Sequence, residues 1–157
     1  MMEENGKALA HPRLYLDIDG VVLADSSPFE TTELNAIERY APEVASRLGA
    51  TGLELVWIST WGKEAAYLSE RIEAFGGAII LPTQVRDIGT KRDALIADQE
   101  RSPSPFVWVD DMINNSIRKY VSKRVKTPHL LVSPNTATGL TASELEDIEG
   151  FALQFQS

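Results

Sequence analysis

The stretch RLYLDIDGVVL, residues 13–23, places two carboxylates, Asp17 and Asp19, directly after a short apolar run. Burying an unpaired charge is costly, so acidic residues at the end of a buried segment need an explanation. Three are open: an acidic turn, a calcium-binding loop, or a catalytic metal site at a strand end. An EF-hand loop that starts at Asp17 requires glycine and glutamate where this chain has Val22 and Pro28, so the calcium loop is excluded.

Short apolar runs alternate with helical patterns along the chain. We predict strands at residues 14–18, 53–59, 78–82, 106–109 and 129–133. We predict helices at residues 31–49, 63–77, 90–100, 113–124 and 141–155. Pro42 has to kink or split the first helix, and either Thr141 or Ser143 caps the last one. Because most of the strands are continuous apolar runs, they are typical of a parallel sheet covered by helices on both faces.

The composition is that of a globular protein, with 157 residues, 43% hydrophobic and 24% charged. We expect residues 1–12 to form a flexible leader and residues 13–157 a single domain. No apolar run is long enough to span a bilayer, so no membrane partner is expected. The absence of cysteine excludes disulfides, thiolate zinc sites and a cysteine nucleophile, and it fits a cytoplasmic location. A net charge of −8 argues against non-specific binding to nucleic acid or anionic membranes, and the sequence leaves the oligomeric state undetermined.

Polar residues follow the predicted strands at one edge of the sheet. They are Asp17, Asp19, Ser59, Thr60, Asp110 and Asp111, with Lys91 at the start of a helix. Such an oxygen-rich set suits Mg²⁺. Each member alone has a simpler interpretation: Asp110 and Asp111 as helix caps, Ser59 as a strand-end hydroxyl, and Lys91 as a solvated residue.

The order of the segments, DIDGVV, LVWIS, Lys91 and FVWVDD, resembles the four motifs of the haloacid dehalogenase-like (HAD) superfamily, over about residues 13–133. The resemblance implies a Rossmann-like three-layer sandwich with a central, mainly parallel five-stranded sheet. It also implies Mg²⁺-dependent phosphoryl transfer through an aspartyl-phosphate. Asp17 would then be the nucleophile, and Asp19 the general acid and later the general base. The second carboxylate points to a phosphatase rather than a dehalogenase, because a halide leaves without a proton.

The same resemblance implies the remaining site residues. The phosphate would be bound by Ser59, Thr60, Lys91 and Gly20. The Mg²⁺ ligands would be Asp17, the backbone carbonyl of Asp19, Asp111 and Asp110. Asp111 is the expected direct ligand, and Asp110 binds directly or through water. Many members carry a further acid about four residues later, where this chain has Asn114 and Asn115.

The motif spacing leaves no room for a folded cap domain. Between Asp19 and Ser59 there is space for a short flap, residues 21–30, and one helical region. Between Lys91 and Asp110 there is only a helix and a loop. We therefore expect an open site, and capless members of the superfamily tend to act on large substrates.

Two features bear on the substrate. Trp61 either stacks on a base or packs against a neighbouring helix. The basic segment RKYVSKRVK, residues 118–126, either contacts phosphates or is a solvated helix face. We expect a Mg²⁺-dependent phosphatase acting on a phosphorylated substrate, with a nucleotide or polynucleotide end as the candidate. The alternative is a non-catalytic HAD-like module that binds a phosphorylated partner, which the presence of Asp17, Asp19 and Lys91 disfavours.

Overall fold

The computed structural model describes residues 10–18, 21–22, 42–81 and 84–155. Its centre is a five-stranded sheet in which all neighbouring strands are parallel. The strands are β1 (Arg13–Leu16), β2 (Glu54–Trp57), β3 (Ile79–Ile80), β4 (Phe106–Val109) and β5 (His129–Val132). They lie in the order β3-β2-β1-β4-β5. The predicted Rossmann-like α/β fold is confirmed.

Helices cover both faces of this sheet. They are α1 (Pro42–Ala50), α2 (Ala66–Arg71), α3 (Ile88–Arg101), α4 (Asn115–Arg124) and α5 (Ala142–Gln154). Of the two candidate caps of the last helix, Thr141 is the one used, because its hydroxyl accepts a hydrogen bond from the Glu144 N–H. Among the described residues, no helix is both long and apolar enough to cross a bilayer.

Alternation along β1 divides the apolar side chains between two cores. Leu14 and Leu16 point to one face, where they join side chains of α1 and α5. Tyr15 points to the other face and joins side chains of α3 and α4. All three are at most 1% exposed. The sheet is therefore the middle layer of three, and its strands are apolar on both sides because both sides are buried.

The segment after β2 differs from the predicted continuous helix over residues 63–77, and that prediction is wrong. The chain forms a 3₁₀ turn at Gly62–Ala65, the short helix α2, and a second 3₁₀ turn at Glu73–Phe75. Ile72 is extended between the last two. The break allows Phe75 to be fully buried with its ring edge-on to Trp57, 5.0 Å between ring centres, so tertiary packing overrides the helical pattern.

Two predicted segments lie partly outside the described residues. Residues 23–41 hold most of the predicted flap and the predicted helix start near Thr31 or Thr32. Within the described part, α1 begins at Pro42, where the missing N–H costs no hydrogen bond, and it ends at Ala50 rather than at Gly49. Residues 1–9 of the predicted leader are also outside. Ala10 is tied to the domain, since its N–H donates to the Pro103 carbonyl at 2.9 Å.

The strand order places a crevice at the end of β1. From β1 the chain adds β2 and then β3 on one side of the sheet. It then crosses to the other side, where β4 lies next to β1 and β5 lies outside β4. In open parallel sheets, ligands bind beyond the carboxyl ends of the strands at this point of reversal. The hydrogen-bond ladder continues past the strands here, with the Asp17 N–H bonded to the Val109 carbonyl and the Asp110 N–H to the Val132 carbonyl, both at 3.1 Å. The backbones that carry the two aspartates are therefore fixed by the sheet.

Candidate active site

Three charged side chains meet where β1 and β4 end. The register pairs Leu16 with Val109, so Asp17 and Asp110 follow at the same level on adjacent strands. The Lys91 ammonium lies 3.2 Å from Asp17 Oδ1 and 2.8 Å from Asp110 Oδ2. All three residues are buried, with at most 6% of each exposed. The sequence-predicted residues of the first, third and fourth motifs are thus in direct contact.

Lys91 reaches the site from the first turns of α3. Asp87 caps this helix in a capping box with Thr90, so the helix begins at Ile88, two residues before the predicted start at residue 90. Helical side chains lean toward the N-terminus of their helix, which carries the Lys91 ammonium to the edge of the sheet. The alternative of a solvated lysine is wrong, because the residue is buried between two carboxylates.

The buried cluster has two carboxyl groups and one ammonium, and the pKa values of all three are shifted. Burial raises the pKa of Asp17 to about 7, the Asp110 carboxylate adds to the rise, and the Lys91 ammonium opposes it. Burial also raises the pKa of Asp110, again against the effect of Lys91. Burial alone would lower the pKa of Lys91, but the two carboxylates outweigh it and the pKa is raised. One ammonium is therefore not enough to offset the carboxylates around it.

Asp111 adds a third carboxylate to this cluster. One oxygen each from Asp17, Asp110 and Asp111 lie within 4.8 Å of one another. The Thr136 hydroxyl donates to Asp111 Oδ2 at 2.6 Å, and the Ser133 hydroxyl donates to the Asp111 carbonyl at 3.3 Å. The loop after β5 therefore fixes Asp111, and one small cation would fit between the three carboxylates.

Helix capping does not account for the two aspartates. The side chain of Asn114, rather than of Asp110 or Asp111, caps α4 by accepting a hydrogen bond from the Ile117 N–H at 2.9 Å. Asp110 Oδ1 accepts from the Met112 N–H at 2.9 Å, within the turn that precedes the helix. The capping residue is thus Asn114. It is one of the two asparagines that stand where many HAD members carry a further acid.

Ser59 follows β2 at the same edge of the sheet. The preceding residue, Ile58, donates its N–H to the Leu16 carbonyl at 3.0 Å, which places Ser59 next to the end of β1. The Ser59 hydroxyl is buried and accepts a hydrogen bond from the Trp61 N–H at 3.2 Å. Thr60 is exposed. The ring of Trp61 packs against the core that contains α1 and α5, in agreement with the packing interpretation, and its contact with a substrate stays a prediction.

The protein-family model for the HAD domain in Swiss Army Knife RNA repair proteins matches residues 13–145 of this chain. The chain belongs to this family. No curated protein and no solved structure matches it. The predicted HAD-like resemblance is confirmed, and membership suggests a hydrolase of the phosphatase type.

Two site residues predicted for this HAD domain, Asp19 and Gly20, lie outside the described residues. The described residues on either side of them are joined by a hydrogen bond, from the Val22 N–H to the Ile18 carbonyl at 3.0 Å. The roles of Asp19 and Gly20 therefore stay predictions that rest on the motif DIDGVV.

The sequence did not indicate the part that the loop after β5 has in the HAD site. Thr136 and Ser133 both donate to Asp111, and the Leu140 N–H donates to the Val21 carbonyl at 3.0 Å, which joins this loop to the turn after β1. The available signal was a run of hydroxyl residues after the fifth strand. Its meaning depends on β5 lying beside β4, and that neighbourhood is a property of the sheet order.

Proposed function

We propose that this HAD domain is a Mg²⁺-dependent phosphatase that hydrolyses phosphomonoesters through an aspartyl-phosphate. The observation that carries the proposal is the group of three carboxylates, Asp17, Asp110 and Asp111, with oxygens within 4.8 Å of one another beside the buried Lys91 ammonium. A buried group with more negative than positive charge favours a bound cation. An all-oxygen donor set is the one that Mg²⁺ prefers.

The three carboxylates would hold the ion, together with the backbone carbonyl of Asp19. When bound, Mg²⁺ would offset the charge of the phosphoryl group, so that an anionic carboxylate and an anionic phosphate can approach one another. Asp111 is proposed as a direct ligand because Thr136 already orients its carboxylate. Asp110 would bind directly or through water.

Asp17 is the proposed nucleophile. One of its carboxylate oxygens forms a bond to phosphorus while the bond between phosphorus and the ester oxygen breaks. Lys91 holds this carboxylate through its 3.2 Å contact and reduces the negative charge that the incoming phosphate meets. The rigid backbone of Asp17, bonded to β4, fixes the line of attack.

Asp19 is the proposed general acid and base. It gives its proton to the departing ester oxygen, and then takes a proton from the water that attacks phosphorus and regenerates the Asp17 carboxylate. Ser59, Thr60 and Gly20 are proposed to bind the phosphoryl oxygens. Support for Asp19 and Gly20 comes from the sequence motif, and support for Ser59 and Thr60 from their place beside β1.

We propose a phosphorylated RNA end as the substrate. The family description refers to RNA repair proteins. Only four residues, 102–105, separate α3 from β4, so this part of the chain carries no cap over the site. An open site accepts the end of a polymer that a capped site would exclude.

A phosphatase assay tests the proposal. The protein is given 4-nitrophenyl phosphate, and then RNA oligonucleotides with a 3′- or 5′-phosphate, each with Mg²⁺ or with EDTA. We expect Mg²⁺-dependent phosphate release that the Asp17→Asn variant loses by at least about a thousandfold. The matched control is Asp147→Asn, an exposed carboxylate of α5, which should keep the activity of the parent.

Two results would contradict the proposal. One is activity in Asp17→Asn equal to that of the parent. The other is a parent protein that binds phosphorylated RNA and releases no phosphate with any divalent cation, which would favour the non-catalytic module instead.

A further inference from the structure

The charges of this acidic chain are unevenly distributed between the two sides of the sheet. Between Met112 and Pro128 there is no acidic residue and there are five basic ones: Arg118, Lys119, Lys123, Arg124 and Lys126. α5 carries four acidic residues and no basic one: Glu144, Glu146, Asp147 and Glu149. α4 packs on the core with Tyr15, and α5 packs on the opposite core with Leu14. α4 is therefore basic although the net charge of the chain is −8, whereas α3 beside it carries three basic and three acidic residues.

Two arginines on this side are ordered by one tyrosine ring. The guanidinium carbon of Arg92, on α3, lies 3.8 Å from the centre of the Tyr120 ring, and that of Arg124 lies 3.4 Å from it. Two guanidinium groups at such distances cannot share one face of the ring, so they lie on opposite faces. Asp93 contacts only Nε of Arg92, at 3.0 Å. Stacking of this kind holds a guanidinium in place. Arg124 Nη1 also donates to the Tyr120 carbonyl at 3.4 Å, so the remaining N–H groups of the two arginines are the ones available for a phosphate.

Two lysines extend the basic surface along α4. Lys119 and Lys123 are exposed and one helical turn apart, about 6 Å along the axis, so they share a face of the helix. Neither forms an ion pair within the described part of the chain. Arg118 is different, because it donates to the Leu131 carbonyl at 2.9 Å and so ties α4 to β5.

The basic surface adjoins the candidate active site. Arg92 follows Lys91 directly, so one residue of α3 points into the site and the next points to α4. α4 itself begins at Asn115, shortly after Asp111. A polymer that leaves the site on the side of α3 and α4 therefore passes Arg92, and then the cations that lie along α4 up to Arg124 at its end.

We propose that the α3–α4 basic face, defined as Arg92, Lys119, Lys123 and Arg124, binds the sugar–phosphate backbone of an RNA strand whose phosphorylated end lies in the site. This inference rests on the proposed function. Cations spaced along a face without acidic neighbours on α4 complement a polyanion, and contacts to phosphates position a strand without reading its sequence. Oligonucleotides should therefore be better substrates than mononucleotides with the same phosphate.

Binding and turnover of RNA test the role of this face. The affinity for a 3′-phosphorylated 12-nucleotide RNA is measured in the Asp17→Asn background at several salt concentrations, with and without Lys119→Gln plus Lys123→Gln. We expect the double substitution to weaken binding about tenfold at low salt and to reduce the salt slope by about 1.4, the value for two lost phosphate contacts. In the parent background it should raise KM for the RNA and leave hydrolysis of 4-nitrophenyl phosphate unchanged.

Two further variants test other causes of weaker binding. One changes the net charge away from the basic face, and the other removes the ring that holds the two arginines in place. Leu153→Glu plus Gln154→Glu changes the net charge by the same amount on exposed positions of α5, and it should leave RNA affinity close to that of the parent. Tyr120→Leu removes the ring and keeps both arginines, so it should weaken binding and leave the salt slope unchanged. Equal loss of affinity in the α5 variant, or an unchanged affinity in the lysine variant, would overturn the inference. Absence of phosphate release from both 4-nitrophenyl phosphate and the RNA in the parent would instead overturn the proposed function.

Discussion

Asp17 and Asp110 share one ammonium in a buried site, and this sharing has a cost in the metal-free protein. Burial, with the Asp110 charge, raises the pKa of Asp17 from 3.8 to about 7. Between about pH 4 and pH 7, the folded protein therefore keeps a proton on Asp17 that the unfolded chain has already released. The stability of the metal-free protein should fall as the pH rises from about 4 to about 7, and this contribution should level off above that range.

Asp17→Asn should remove this pH-dependent cost. In EDTA at pH 8 we expect the variant to be more stable than the parent by roughly 2 kcal/mol, because Lys91 and Asp110 remain as a balanced pair. At pH 4 the difference should be small, since Asp17 is then protonated in the folded parent and is still partly protonated in the unfolded chain. Urea unfolding at the two pH values measures this, with Asp147→Asn as the control. A variant that is less stable than the parent at pH 8 would contradict the electrostatic description of the site.

Thr136 is expected to affect the metal site without touching the substrate. Its hydroxyl donates to Asp111 Oδ2 at 2.6 Å, so Thr136→Val leaves that carboxylate without an orienting donor. We expect Mg²⁺ to bind about tenfold more weakly by calorimetry, and Thr136→Ser, which keeps the hydroxyl, to stay close to the parent. Equal Mg²⁺ affinity in the valine and serine variants would show that Asp111 does not depend on this bond.

At the scale of elements, the strands are the part that could be predicted best. The apolar runs at β1, β2, β4 and β5 were recognised because burial on both faces leaves little choice of residue. The helix predicted over residues 63–77 was wrong because a helical pattern does not show that Phe75 packs edge-on against Trp57. That contact joins a residue of β2 to a residue near the end of the predicted helix, and it decides the local backbone.

Two glycines in helices test the packing of these elements. A Cβ on Gly49 of α1 would lie 2.9 Å from the Ala74 carbonyl oxygen, whereas a Cβ on Gly150 of α5 would meet no atom within 4 Å. Gly49→Ala should destabilise the protein by about 1–3 kcal/mol, because α1 must move from the turn that holds Ala74. Gly150→Ala should stabilise it by up to about 1 kcal/mol, because alanine favours a helix. Thermal unfolding of both variants measures the contrast, and a stabilised Gly49→Ala would contradict the close approach of α1.

At the scale of the whole molecule, the sequence predicts which residues form the site, but it does not predict the contacts between them. The motifs gave Asp17, Lys91 and the aspartate pair, since each follows a recognisable strand or opens a helix. Thr136 could not be assigned, because its role requires β5 to lie beside β4. The same holds for Asp98 of α3, which accepts hydrogen bonds from Arg13 at 3.2 Å and Tyr15 at 2.5 Å, since nothing in the sequence pairs these segments.

The proposed metal should stabilise the whole domain, since its proposed ligands follow β1 and β4. At a concentration 100-fold above its dissociation constant, Mg²⁺ should add about 2.7 kcal/mol to the stability of the folded protein. For a domain of this size the melting temperature should rise by roughly 5–10 °C. Thermal unfolding with MgCl₂, compared with NaCl at equal ionic strength, measures the effect. An Asp111→Asn variant that shows the same rise would rule out the carboxylate cluster as the binding site.

The most direct test of the aspartyl-phosphate proposal is a rapid-mixing measurement on Asp19→Asn with 4-nitrophenyl phosphate. Nitrophenolate leaves without needing a proton, so the first step survives in this variant, while loss of the general base stalls the attack of water on the phosphorylated Asp17. We predict a Mg²⁺-dependent burst of one nitrophenolate per active site, followed by slow turnover. The burst should be absent in EDTA, and it should be absent in the double variant that carries both Asp17→Asn and Asp19→Asn. Steady turnover without a burst in Asp19→Asn, unaffected by the loss of Asp17, would contradict the proposal.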